Sequence, residues 1–279
     1  VRELMDNYPV EILWFDGEWV PAYTTEMGKD LYAFITEQDP SMIVNNRVGK
    51  RKRAPGDFGT PEQEIPATGM PGWDWETCMT ICRQWAWKPN DKVKSLKQCI
   101  DVLVTCAVRN GNLALNTGPM PDGRIEPRQV KRFQEIGAWL KKYGESIYQT
   151  RGGPWRDASW GGTTHRGERV FVHVLNFGGG EIKLADVPRK ILGHRVLTGG
   201  TATVEQSEDG ITITVPDEHR QEFVKTAIGL VAQLPVQCGE QGLSQVLEAA
   251  GLARAHVEDA AGARVVQQPE RHIKGAIGV

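Results

Sequence analysis

No stretch of this 279-residue sequence approaches the run of about 20 apolar residues that a membrane-spanning helix needs. Net charge is also scarce: 33 Lys and Arg against 35 Asp and Glu leave −2 at pH 7. That balance argues against a general nucleic-acid binder and against a protein drawn to anionic membranes. The opening residues, VRELMDNYPVEILWF, lack both the basic start and the long apolar core of a signal peptide. The five cysteines contain no C-x-x-C pair and have no histidine cluster beside them, so no zinc site is expected. Cys78, Cys82, Cys99, Cys106 and Cys238 read as buried, reduced thiols. Histidine is missing from the first 164 residues; all six lie at 165, 173, 194, 219, 256 and 272.

What is present is enough apolar sequence, 40%, for a sizeable core. Nine tryptophans are many for this length, and indole faces also suit carbohydrate C–H surfaces. Val10–Phe15 reads as a short strand, apolar enough to be buried on both faces, and Lys29–Glu37 as a helix. Met42–Val44 is a second strand, ending in Asn45, Asn46 and Arg47. A long Gly- and Pro-rich loop follows, from Gly49 to Asp74, and then a third strand in WETCMTIC. Ser95–Val108 has helical spacing, and NLALNTGP is a strand running into a loop. Glu126–Tyr143 is the clearest helix, with Pro127 in its first turn. Val130, Phe133, Ile136, Gly137 and Leu140 form its apolar face, and Gly144 suits its C-terminal stop. This order of strands and helices predicts a parallel α/β fold.

After RGGPW, which reads as a linker, the texture changes to short alternating runs: RVFVHVLNF, EIKLADV, ILGHRVLTGG, TATVEQ and GITITVP. They predict a small antiparallel β-sandwich. VKTAIGLVAQLPV is a candidate closing strand. Residues 236–279 offer only a short helix, Gln245–Ala250.

The stretch ILWFDGEW ends a strand on Asp16. An Asp-Gly pair alone reads as a turn. In a parallel α/β barrel, however, reacting residues sit at the carboxyl ends of strands. Asp16, Arg47 and the loop carboxylates lie at or just past such ends. Together, ILWFDGEW, IVNNRVG, GDFGTPEQEIP, WETCMTI, GNLALNTGPMPDGRIEPRQ and IGAWLKKYGESIY closely resemble the α-L-fucosidases of glycoside hydrolase family 29, across residues 8 to about 155. The β-rich part, to about 216, resembles that family's C-terminal sandwich less specifically.

The resemblance implies a partial (β/α)8 barrel over residues 1–150, a β-sandwich over 151–235 and a tail over 236–279. It implies retaining hydrolysis of terminal α-L-fucosyl residues, with a carboxyl pair about 5–5.5 Å apart. Asp16 matches the nucleophile. Glu62, in the intact T-P-E motif, is the first choice for the acid/base, and Glu76, in the W-E motif, is the second; Glu64 reads as a solvated loop charge. Arg47 matches an arginine that contacts the sugar, although the segment more often reads NDRWG. Trp14 and Trp85 match aromatic positions lining the pocket, with QWAWK standing where SWGY is common; either indole would serve equally well in the core. Family members also carry an N-terminal half-barrel whose histidines bind fucose. Only about four barrel strands are visible here, so the chain is expected to be a C-terminal fragment, inactive alone and prone to self-association through its open half-barrel. The expected partner is a fucosylated oligosaccharide or glycoconjugate, with no nucleic acid, no membrane span, no metal and no organic cofactor. The resemblance suggests a secreted, periplasmic or lysosomal setting. A non-catalytic carbohydrate-binding module and a different retaining exo-glycosidase on the same barrel are the alternatives.

Overall fold

The computed structural model describes residues 1–156, 159–177, 181–185, 190–220 and 230–233. The fold is α/β, with a parallel run of strands followed by antiparallel sheets. After a short helix α1 (Arg2–Asn7) come β1 (Ile12–Leu13), α2 (Thr25–Gln38), β2 (Ile43–Val44), β3 (Phe58–Gly59), β4 (Asp74–Thr80), α3 (Leu96–Val108), β5 (Asn112–Asn116) and α4 (Pro127–Tyr143). The five strands are neighbours in chain order and all parallel. Leu13 pairs with Val44, Asn45 bridges to Phe58, Phe58 pairs with Asp74, and Glu76 pairs with Asn112.

Local chemistry sets the ends of these elements. Thr24 accepts a hydrogen bond from the Met27 amide (3.1 Å), so α2 begins at Thr25, a turn before the expected Lys29. Ser95 and Gln98 close a capping box at the start of α3. The expected long loop contains β3, which Asp57 ties to β2. The Asp57 amide donates to the Val44 carbonyl (2.7 Å), and its carboxylate accepts from the Val44 amide (2.7 Å) and the Tyr32 hydroxyl (2.7 Å). Burial, aided by this carboxylate, pushes the Tyr32 phenol up to about 12.

Three further expectations are corrected. β1 is covered on one face only: Leu13 is buried against Ile35, Met42 and Val44, whereas Ile12 and Trp14 are each 40% exposed. The inner face of α4 is the expected one only in part. Phe133, Ile136 and Leu140 pack inward, but Val130 and Gly137 face outward, and Trp139 and Tyr143 are buried with α3 residues Ile100, Val104 and Val108. Gly144 is right-handed (φ −59°), so the chain runs on into a 3-10 turn, Gly144–Ser146, instead of stopping in a left-handed cap.

RGGPW is not a linker. Arg151–Gly152 is β6, the edge of a five-stranded antiparallel sheet in the order β10-β13-β8-β7-β6. Its other strands are β7 (Gly161–Arg166), β8 (Arg169–Val174), β10 (Gly193–Val196) and β13 (Leu230–Gln233). β13 lies in the expected closing-strand segment and pairs with both β8 and β10. A three-stranded sheet, in the order β11-β12-β9, faces it, built from β9 (Glu181–Leu184), β11 (Thr203–Ser207) and β12 (Gly210–Thr214). Val172 and Val174 pack against Ile182, Leu184, Ile211 and Ile213 to form the core between the sheets. The large sheet turns its other face to α3. There a Cβ on Gly152 would lie 2.3 Å from the Val108 carbonyl oxygen, and one on Gly162 2.5 Å from a Val108 methyl. The expected helix Gln245–Ala250, Cys238, His256 and His272 lie outside the described residues. Cys78, Cys82, Cys99 and Cys106 are buried and free. No described helix is long and apolar enough to cross a membrane.

Candidate active site

The parallel register brings distant residues to one level. Counting two residues past Trp14, Asn45, Phe58 and Asp74 gives Asp16, Arg47, Thr60 and Glu76, and Glu76 pairs in turn with Asn112. β1, β2 and β3 end near this level, while β4 runs on beyond it. The level therefore lies at the carboxyl ends of three strands, where side chains turn from a packed sheet toward open space.

Arg47 is the hub. Its side chain is only 3% exposed, and the buried guanidinium uses every nitrogen. Nη1 donates to Asp16 Oδ1 (2.5 Å), Nη2 to Glu62 Oε2 (3.0 Å) and Cys78 Sγ (3.4 Å), and Nε to Thr60 Oγ1 (3.1 Å). The Trp14 ring lies 4.5 Å from the guanidinium carbon, at cation–π distance. Arg47 is itself set by its neighbours. Asn46 accepts from the Thr60 amide and hydroxyl (3.1 and 2.8 Å), and Asn45 exchanges two 2.9 Å bonds with the Phe15 backbone. The strand-end asparagines thus tie the Asp16 segment to β2 and β2 to β3.

The carboxyl groups differ sharply. Asp16 is 55% exposed and open to an incoming ligand. Glu62 sits between two guanidinium groups, bonded to Arg51 (2.8 Å) and Arg47 (3.0 Å). The Arg51 bond above all, with Arg47 adding to it, holds the Glu62 carboxyl below its usual range despite partial burial. Glu76 has no arginine bonded to it and accepts one hydrogen bond, from Trp14 Nε1 (3.2 Å). Burial pushes its pKa up, and the indole bond offsets only part of that rise. Glu64 is exposed and stands apart from the cluster; its carbonyl accepts from Thr77 (2.6 Å).

Asp16, Glu62, Glu76, Arg47 and Trp14 therefore converge. Trp85 does not join them: it is 40% exposed, on the segment after β4 that Asp91 ties down by accepting from the Arg83 and Gln84 amides (3.1 and 3.0 Å). Beside that segment is a narrow crevice lined by Cys82, Trp87, Asp91 and Asn116 among others. Three cluster members were not anticipated, namely Thr60, Glu18 and Arg51. Glu18 is buried and bonded to Arg51 Nε. The available signal was an acid two residues past Asp16, with a basic run, Lys50–Arg53, at the end of the next strand. No group of three or more His, Cys, Asp or Glu among the described residues has the arrangement of a metal site.

The family model for alpha-L-fucosidase matches residues 1–145. An alpha-L-fucosidase from Branchiostoma floridae is 29% identical over 232 residues, which cover 77% of this chain and 51% of that protein. Among solved structures, alpha-L-fucosidase isoenzyme 1 from Paenibacillus thiaminolyticus superposes with a TM-score of 0.73 at 28% identity, covering 84% of this chain and 60% of the other. The Thermotoga maritima alpha-fucosidase gives 0.64 at 30% identity, covering 83% and 54%. The chain thus spans about half the length of the curated relatives it matches. With a family match over just more than half its residues, and with the strand-end carboxylates and arginine held in one cluster, the chain belongs to the alpha-L-fucosidase family.

Proposed function

We propose that this chain carries the carboxyl pair of a retaining α-L-fucosidase, with Asp16 as nucleophile and Glu76 as acid/base. The observation behind it is the convergence of Asp16 and Glu76, from strands 60 residues apart in sequence, on either side of the Trp14–Arg47 stack. An Asp16 oxygen attacks the anomeric carbon of an α-L-fucoside. The bond to the leaving oxygen breaks, and that oxygen takes the Glu76 proton. The ionised Glu76 then removes a proton from water, whose oxygen attacks the anomeric carbon and releases Asp16. Fucose leaves with its configuration retained.

Glu76 suits the acid better than Glu62. A general acid must hold its proton near neutral pH. Burial favours the protonated form of Glu76, whereas two arginines favour the ionised form of Glu62. Trp14 and Arg47 would form one wall of the sugar subsite, and Trp85 a more distant edge.

β1–β5 fit five consecutive strands of a (β/α)8 barrel, one more than the sequence suggested. Residues 1–150 would form the C-terminal part of its catalytic domain and 151–235 a β-sandwich, while the tail expected at 236–279 lies outside the described residues. The strict neighbour order of parallel strands and the cluster at their carboxyl ends support this division. The substrates would be fucosylated oligosaccharides or glycoconjugates.

The test is hydrolysis of 4-nitrophenyl α-L-fucoside by the chain joined to the part of the Paenibacillus enzyme that it does not span. Asp16→Gly should abolish most turnover, and added azide should restore some of it with β-L-fucosyl azide as product. Near-normal rates for Asp16→Gly would remove Asp16 from the reaction.

A further inference from the structure

Glu18 has no task in the reaction above, yet its carboxylate is buried, at 6% exposure. Burying a carboxylate is costly unless a partner holds it. Oε1 accepts from Arg51 Nε, and Oε2 has no hydrogen-bond partner. Arg51 Nη2 donates in turn to Glu62 Oε2 (2.8 Å), the oxygen that Arg47 Nη2 also reaches (3.0 Å). Five side chains therefore form one alternating line of charge: Glu18, Arg51, Glu62, Arg47 and Asp16. The backbone is bent to build it. Lys50 and Arg51 are consecutive left-handed residues, with φ of 62° and 60°, a backbone conformation that residues other than glycine rarely adopt. Both reach back to the turn after Asp16, and Lys50 Nζ donates to the Glu18 carbonyl (2.9 Å).

We propose that Glu18 is a positioning residue for this site: it fixes the Arg51 guanidinium, which with Arg47 holds the Glu62 carboxylate beside Asp16. The inference rests on the assignment of Asp16 as nucleophile. Arg51 is 40% exposed, and without Glu18 its long side chain gains freedom by turning to solvent. Glu62 would then depend on Arg47 alone and draw it away from Asp16. A fixed, ionised Glu62 would also keep negative charge beside Asp16, and preorganised charge of this kind favours a transition state in which positive charge develops on the sugar.

The test uses Glu18→Gln, Arg51→Gln and the double variant, with two readouts. In the chain itself, the Glu62 carboxyl is titrated by its ¹³C shift. In the joined enzyme, kcat, KM and the acid limb of kcat/KM are measured. Each single variant should raise the Glu62 midpoint, move the acid limb to higher pH, and lower kcat about 10- to 100-fold with little change in KM. The double variant should be no worse than the more damaging single one, because both act through one contact. A role in folding alone would reduce the active fraction at every pH and leave the midpoint and limb in place. Wild-type positions for both in Glu18→Gln would overturn the inference. Near-normal turnover by Asp16→Gly would instead remove the nucleophile assignment, while the titration, which needs no turnover, would still decide whether Glu18 and Arg51 hold Glu62.

Discussion

Glu62 and Glu76 are the same residue type within one cluster, and their surroundings shift their pKa values in opposite directions. Their signs predict opposite responses to pH. The Glu62 pKa lies below the 4.5 of a free glutamate, so its ion pairs stabilise the fold above that pH and are lost as pH falls through its folded value. The Glu76 pKa lies above 4.5, so its contribution is complete below that pH and is lost as pH rises through its folded value. Thermal melts across pH should show Glu62→Gln flattening the acid-side loss of stability and Glu76→Gln flattening the loss on the other side. Chemistry separates the two as well. Glu76→Ala in the joined enzyme should still form the glycosyl-enzyme from a fucoside with a good leaving group, which needs little protonation. It should then stall, and azide should release α-L-fucosyl azide by attacking the intermediate. Glu62→Ala giving that behaviour, with Glu76→Ala fully active, would reverse the assignment.

The site is held by elements that touch no ligand. α2 packs its Gly28 onto the 3-10 turn that carries Arg47: a Cβ there would lie 2.0 Å from the Val48 carbonyl oxygen, which also accepts from the Tyr23 hydroxyl (2.9 Å). Gly28→Ala should therefore cost about 1–3 kcal/mol, as overpacking generally does, and should lower kcat by displacing Arg47. Denaturant melts and rates measured together would check both; an unchanged rate would mean that α2 does not set Arg47. Ser95→Ala removes one half of a capping box at the far end of the parallel run and should cost about 1 kcal/mol with no effect on rate. These elements differed in how plainly the sequence announced them. α3, α4 and β5 stand out because periodic apolar residues and caps are local signals. β3 and β6 do not, since each is two residues long and forms through contacts that no local pattern records: Asp57 with Val44 and Tyr32, and Gly152 with Asn110 (2.5 Å). Asp16 and Arg47 were legible as strand-end residues, and Trp14 through the family resemblance. Glu18 and Arg51 were not, because their pairing needs the segments after β1 and β2 to meet.

Five parallel strands in neighbour order leave β1 with β2 as its one strand partner among the described residues, and they leave Ile12 and Trp14 half exposed. Asp16 stands at that open side, 55% exposed. Carboxylates without an enclosing wall cannot hold a sugar in a reactive pose, since orientation supplies much of the rate. Residues 1–279 alone should therefore have no measurable α-L-fucosidase activity, and joining the complementary part of a relative should create it. Hydrolysis of 4-nitrophenyl α-L-fucoside by residues 1–279 alone, abolished by Asp16→Asn, would mean that this chain builds a sufficient pocket. If Asp16 is the nucleophile, it forms a covalent bond to the sugar. The most direct measurement is to treat the joined enzyme with 2-deoxy-2-fluoro-α-L-fucosyl fluoride, whose fluorine slows release of the intermediate, and to map the label by peptide mass spectrometry. One fluorofucosyl ester per chain is expected, on Asp16. A label on Glu62 or Glu76, or inactivation with no ester on the peptide that carries Asp16, would contradict it.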